Sequence, residues 1–112
     1  MTVQEMNVEQ LKEQLDNNKE SLLLVDIRSE NEVAQGIIKD SIYIPMHLIP
    51  LKLSELPKNK KIVLYCRSGV RSYHTCKFLI QEGFDNTVNL QGGIISWART
   101  GYEVSPFSRE TD

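Results

Sequence analysis

The chain has 112 residues, 40% hydrophobic and 25% charged, the make-up of one globular domain able to build a core without disulfide staples. Thirteen basic against fifteen acidic residues give a net charge of −2, which argues against broad binding to nucleic acid or to an anionic membrane surface. The strongly apolar run Leu22–Val25 is far too short to span a bilayer, Met1 to Gln10 lacks the basic start of a secretory leader, and two cysteines are few for a secreted scaffold. A cytoplasmic location is therefore expected.

In chain order, Asn7 has the position of a helix cap, with Gln10 three residues on and Met6 and Leu11 spaced as a hydrophobic staple. Val8, Leu11 and Leu15 then share one helical face. Leu22 to Ile27 reads as a buried strand. Ser29-Glu30-Asn31-Glu32 has capping-box spacing and opens a short helix that Gly36 ends. Ile42 to Ile44 is a second strand, and Met46 to Glu55 a helix broken near Pro50. Pro57 to Lys60 is a turn before a third strand, Lys61 to Tyr65. Ser72, Thr75, Cys76, Leu79 and Ile80 recur at helical spacing until Gly83, with Phe84 folding back. Thr87 to Leu90 is a fourth strand. Gly92-Gly93 leads into a last helix carrying Ile94, Ile95 and Trp97, closed by Gly101. Strands separated by helices predict an α/β sandwich with a mostly parallel central sheet flanked by helices. One domain over residues 1–112 is expected, with a core of about 3–104 and a loose C-terminal tail at 105–112.

In such sheets ligands gather outside the carboxyl ends of the strands. Cys66 falls at such an end, followed by Arg67-Ser68-Gly69-Val70-Arg71 and then a helix. Helix N-terminal amides and the helix dipole favour an anion there. Gly69 lets the backbone curl so that several N–H groups face inward as a nest, and Arg67 and Arg71 add positive charge. A free thiol titrates near ~8.5, and these surroundings are expected to lower it toward the reactive thiolate. The competing reading is a small, inert core cysteine among chance arginines. No Cys-x-x-Cys pair or His/Cys cluster points to zinc, and no metal site is expected.

The loop Cys66-Arg67-Ser68-Gly69-Val70-Arg71-Ser72 resembles the active-site loop of rhodanese-type sulfurtransferases. Leu24-Val25-Asp26-Ile27-Arg28 through Glu32, Gly36 and Ile38 to Ile44-Pro45 resembles that family's upstream motif. Asn89-Leu90-Gln91-Gly92-Gly93, Trp97 and Gly101-Tyr102-Glu103-Val104 resembles its closing motif. The resemblance runs over about Val3 to Val104. It departs at Ile37, where many members have His after the glycine.

The resemblance implies a rhodanese-like three-layer sandwich and a double-displacement reaction through a Cys66 persulfide. Cys66 would be the catalytic nucleophile, and Arg67, Ser68, Gly69, Val70, Arg71 and Ser72 would bind substrate. Sulfane sulfur would move from thiosulfate or a similar small anionic persulfide donor to cyanide, a thiol or a protein acceptor, without metal or organic cofactor. The alternative is a persulfide-carrying or regulatory protein-interaction module with little small-molecule turnover. A cysteine phosphatase ranks lower. Its loop needs Arg six positions after the cysteine, where this chain has Ser72, and Tyr65 replaces the His common before that cysteine.

Other polar groups are read as structural. Asp26 and Arg28 form a pair that ties a strand end to neighbouring backbone. Glu32 serves as a cap. Cys76 packs on the helix stripe, the alternative being a resolving thiol. His74 sits on a solvated helix face and His47 near a helix start.

Overall fold

The computed structural model describes residues 2–108. Five short runs pair into one all-parallel sheet: β1 (Gln4–Met6), β2 (Leu22–Asp26), β3 (Ile42–Tyr43), β4 (Lys61–Tyr65) and β5 (Thr87–Leu90), in the spatial order β1-β5-β4-β2-β3. The helices are α1 (Val8–Asn18), α2 (Glu30–Val33), α3 (Val70–Gln81) and α4 (Gly93–Arg99). This is the three-layer arrangement expected from the alternation of strands and helices.

The two-residue period of β4 divides the core. Ile62, Leu64 and then Cys66 face a cluster with Cys76, Leu79 and Phe84 around α3. Val63 and Tyr65 face the opposite cluster with Leu11, Ile94 and Trp97 of α1 and α4. Cys66 thus leaves the strand on the α3 side. No helix of the described residues is long and apolar enough to cross a membrane.

Both predicted capping boxes form. Asn7 and Gln10 exchange two 2.8 Å bonds at the start of α1, and Ser29 and Glu32 cap α2 reciprocally. Four expectations need correction. β1 was not foreseen; its strand character comes from pairing with β5, Glu5 lying opposite Asn89. Met46 to Glu55 is not an α-helix but two 3₁₀ segments, Met46–Leu51 and Leu53–Glu55, parted at Lys52 instead of at Pro50. Pro50 lacks the amide for an α-helical bond, and the tighter helix tolerates that over a short run. The second strand stops at Tyr43, where Ile44 N–H turns to the Asp26 carbonyl at 3.1 Å.

The fourth correction concerns the tail. It is not loose from residue 105, because Ser105 and Ile37 exchange both backbone hydrogen bonds at 2.7 Å. The Phe107 ring meets Tyr43 edge-on at 5.6 Å. Residues 109–112 of the expected tail lie outside the described residues.

Candidate active site

Residues 66–69 link β4 to α3 at the carboxyl edge of the sheet. Gly69 turns the chain with φ +100°, a conformation that strains other residues. A Cβ there would also sit 3.2 Å from the Gly92 nitrogen and 3.3 Å from the Leu90 carbonyl oxygen. The loop is therefore seated directly on the end of β5. Gly93 makes a second close approach, where a Cβ would fall 2.6 Å from the Cys66 carbonyl oxygen. That contact lets α4 hold the loop from behind: Ile94 N–H donates to the Cys66 carbonyl at 3.0 Å and Ile95 N–H to that of Arg67 at 3.1 Å. With its carbonyls drawn toward α4, the loop offers N–H groups to the sulfur.

Gly69 N–H donates to Cys66 Sγ at 3.1 Å, and Ser72 Oγ lies 3.4 Å from the same sulfur. Cys66 is only 1% exposed. Burial alone pushes its thiol up. The Ser72 hydroxyl and the N–H groups of Ser72, Gly69 and Ser68 outweigh that effect and leave the thiol below its ordinary value. The expected lowering is present: the inward-facing N–H groups expected of the loop contribute to it, the Ser72 hydroxyl leads them, and neither expected arginine is among its leading causes. Cys76, by contrast, is buried without such donors, and burial pushes it up to about 12.

The predicted loop residues differ in what they offer the sulfur. Ser68, Gly69 and Ser72 converge on the sulfur through N–H or hydroxyl. Arg67 and Ser68 have exposed side chains, and Val70 is 61% exposed at the loop's rim. Arg71 is engaged elsewhere. Its guanidinium grips Glu32 with two parallel 2.8 Å bonds. That pairing draws the Glu32 carboxyl down to about 2, helped by Ser29 and opposed by burial.

Glu32 also performs the capping role expected of it: its Oε1 accepts from Ser29 N–H at 3.0 Å. The Asp26–Arg28 pair is structural, as expected. Arg28 grips Asp26 with bonds of 2.7–3.1 Å and donates to the Gly36 carbonyl at 2.7 Å. His47 and His74 are exposed, in the first 3₁₀ segment and on α3.

Asn89 is a site residue that sequence reasoning passed over. It is buried at the end of β5. Its Nδ2 donates to the Gly69 carbonyl at 3.1 Å and to Glu5 Oε2 at 2.9 Å, which leaves Oδ1 to face Ser72 at 2.5 Å. An amide inside the apolar strand Thr87-Val88-Asn89-Leu90 was the available signal.

A groove of about 1190 Å³ opens beside Arg71, which alone of residues 66–72 stands on its wall, next to Ile27, Tyr43, Met46, His47 and Phe107. Ile27 follows the Asp26–Tyr65 pair of the sheet and donates its N–H to the Tyr65 carbonyl, so the groove begins alongside the residue preceding Cys66.

The Rhodanese-like domain family matches residues 7–100. A sulfurtransferase of Allochromatium vinosum is 50% identical over 102 residues, covering 91% of this chain and 94% of the relative. Among solved structures, a rhodanese-related protein of Thermoplasma volcanium superposes with a TM-score of 0.81 at 34% identity, over 90% of this chain and 96% of that one. A rhodanese-like domain protein of Staphylococcus aureus gives 0.82 at 31% identity, over 95% and 100%. The loop motif, the parallel sheet that carries it and these likenesses agree: the chain belongs to the rhodanese-like domain family.

Proposed function

We propose that the protein is a sulfurtransferase that carries sulfane sulfur on Cys66. The observation behind this reading is the buried sulfur ringed by donors, Gly69 N–H at 3.1 Å and Ser72 Oγ at 3.4 Å, with its thiol lowered in spite of burial. The name of the Allochromatium vinosum relative supports the same class of reaction. In the first step the Cys66 thiolate attacks the outer sulfur of thiosulfate or a similar anionic persulfide donor. The donor's S–S bond breaks, the leaving group departs with the bonding pair, and Cys66 holds an anionic persulfide. In the second step cyanide or a thiol takes that sulfur and restores the thiolate. The loop N–H groups stabilise the outer sulfur anion as an oxyanion hole stabilises an oxyanion.

The test is intact mass after incubation with thiosulfate, on wild type and Cys66→Ser. A gain of one sulfur atom, about 32 Da, on wild type alone and reversed by cyanide is the result expected of a cysteine nucleophile. The same gain on Cys66→Ser, or none on wild type with any persulfide donor, overturns the reading.

Val70 at 61% and Tyr73 at 37% exposure, both beside the loop, favour a second reading in which the acceptor is a protein thiol docked over the rim. Fast transfer to a protein thiol combined with slow transfer to cyanide marks that case.

A further inference from the structure

The Arg71–Glu32 pair changes what the loop offers a donor. Glu32 is fixed on three sides: its Oε1 accepts from Ser29 N–H and Ser29 Oγ, its main-chain carbonyl accepts from Arg28, and its two carboxylate oxygens accept from Arg71. Arg28 is itself locked to Asp26 and to the Gly36 carbonyl. The carboxylate is thus set in place from the backbone, and the guanidinium comes to it. A bidentate pair of this kind cancels one of the loop's two cationic charges and spends two of its donors.

We propose that Glu32 is a specificity-determining residue for sulfur loading: by occupying Arg71 it tunes the Cys66 loop to a donor with one negative charge, an organic persulfide, over doubly charged thiosulfate. The inference rests on the sulfurtransferase reading above. Both donors obey the same balance. With an organic persulfide, RSS⁻ and the Cys66 thiolate give RS⁻ and the Cys66 persulfide anion, two negative charges on each side. With thiosulfate, sulfite leaves and three negative charges are carried throughout. The second encounter brings a dianion to an anionic sulfur, which is the case an unpaired Arg71 would ease and the paired one does not.

The groove supplies an independent observation. Its wall sets Ile27, Tyr43, Met46 and Phe107 beside Arg71 and His47, apolar surface with a few polar groups, which a carbon-bearing molecule can cover. Thiosulfate has no apolar body to place there.

The experiment is single-turnover loading of Cys66, followed by mass, with thiosulfate and with the persulfide of 2-mercaptoethanol, whose one charge sits on the outer sulfur. The proteins are wild type, Glu32→Gln, Arg71→Gln and the double variant. Glutamine keeps the capping box at the head of α2 while removing the charge. Arg71 is 40% exposed, so water screens its charge. The expected shift of the thiosulfate-to-organic-persulfide ratio in Glu32→Gln is therefore about three- to fivefold toward thiosulfate.

The double variant should lose that shift, since the effect passes through Arg71. An unchanged ratio in Glu32→Gln, or a shift that persists without Arg71, overturns the inference while loading itself upholds the sulfurtransferase reading. Absence of loading in wild type with both donors overturns both.

Discussion

Ser72 Oγ lies 2.5 Å from Asn89 Oδ1, the shortest approach that hydroxyl makes to its two acceptors. The hydroxyl has one proton, and Cys66 Sγ stands 3.4 Å away on its other side. Asn89 cannot turn its nitrogen toward Ser72 without losing its bonds to Glu5 and Gly69. A fixed amide oxygen and the Cys66 sulfur therefore compete for that proton. In the reaction proposed above, a thiolate would draw it, and the amide oxygen would take it back once the charge sits on an outer sulfur.

Ser72→Ala removes the leading hydrogen bond that lowers Cys66. The sign follows directly. A lowered thiol is ionised above its depressed value, so losing the donor raises that value and moves the acid limb of the loading rate to higher pH. At pH 7 the rate should fall about tenfold, the loss typical of a hydrogen bond to an ionised group. Thiolate absorbance against pH and the pH–rate profile check both statements. A loading profile identical to wild type contradicts them.

Asn89→Ala leaves the Gly69 carbonyl and the Ser72 hydroxyl without their brace. Because Asn89 is 1% exposed, stability should fall by about 1–3 kcal/mol in urea unfolding. The Cys66 thiol should rise, because Gly69 N–H is no longer held toward the sulfur. A stability loss with an unmoved thiol would make Asn89 a fold residue alone.

The two loop arginines should not behave alike. Arg67 is exposed and free to meet an incoming anion, whereas Arg71 is already paired with Glu32. Arg67→Ala should weaken thiosulfate loading by about two- to fivefold, less at high salt. Arg71→Ala should weaken it less in an otherwise wild-type chain. Steady-state KM for thiosulfate at two ionic strengths decides the order.

Cys76 should stay unmodified in the folded protein. It is fully buried, and burial raises its thiol to about 12, so little thiolate exists at neutral pH. Iodoacetamide should label Cys66 alone in native protein and both cysteines after unfolding. The raised thiol also favours the fold while protonated. That contribution is full below the unfolded thiol value of ~8.5 and is lost as pH climbs toward about 12. Labelling of Cys76 at a rate near that of Cys66 would restore the resolving-thiol reading.

Asp26→Ala should be severe. The Asp26–Arg28 pair is buried at both ends, and removing one partner of such a pair costs about 3–5 kcal/mol. Because Arg28 also holds the Glu32 and Gly36 carbonyls, the loss should reach α2 and be visible as faster exchange of its amides.

What the sequence disclosed was what neighbours in the chain decide. The boxes Asn7–Gln10 and Ser29–Glu32 close over three residues, and β4, β5 and α3 show their period within one segment. The loop's N–H ring was legible because Cys66, Gly69 and Ser72 are likewise close together. The contacts that tune it join distant positions: Arg71 with Glu32 across 39 residues, Ser72 with Asn89 across 17, and Asn89 with Glu5 across 84. No local pattern carries such pairs. The same holds for β1, whose three residues become a strand only against β5. Residues 46–55 misled for the opposite reason: their apolar spacing is helical, but proline decides the kind of helix.

The amides of Ile94 and Ile95, which anchor the sulfur loop, stand within one turn of Trp97, the only tryptophan in the sequence. The indole is buried, its N–H is bonded to the Glu103 carbonyl at 2.8 Å, and its ring centre lies 4.9 Å from that of Tyr102. Any shift of the loop that pulls on α4 is thus delivered to a single chromophore in a buried, defined setting. The molecule carries its own optical gauge: in the proposed reaction, a loop shift on sulfur loading would be read as a change in indole emission, without a dye and without a second tryptophan to blur the signal.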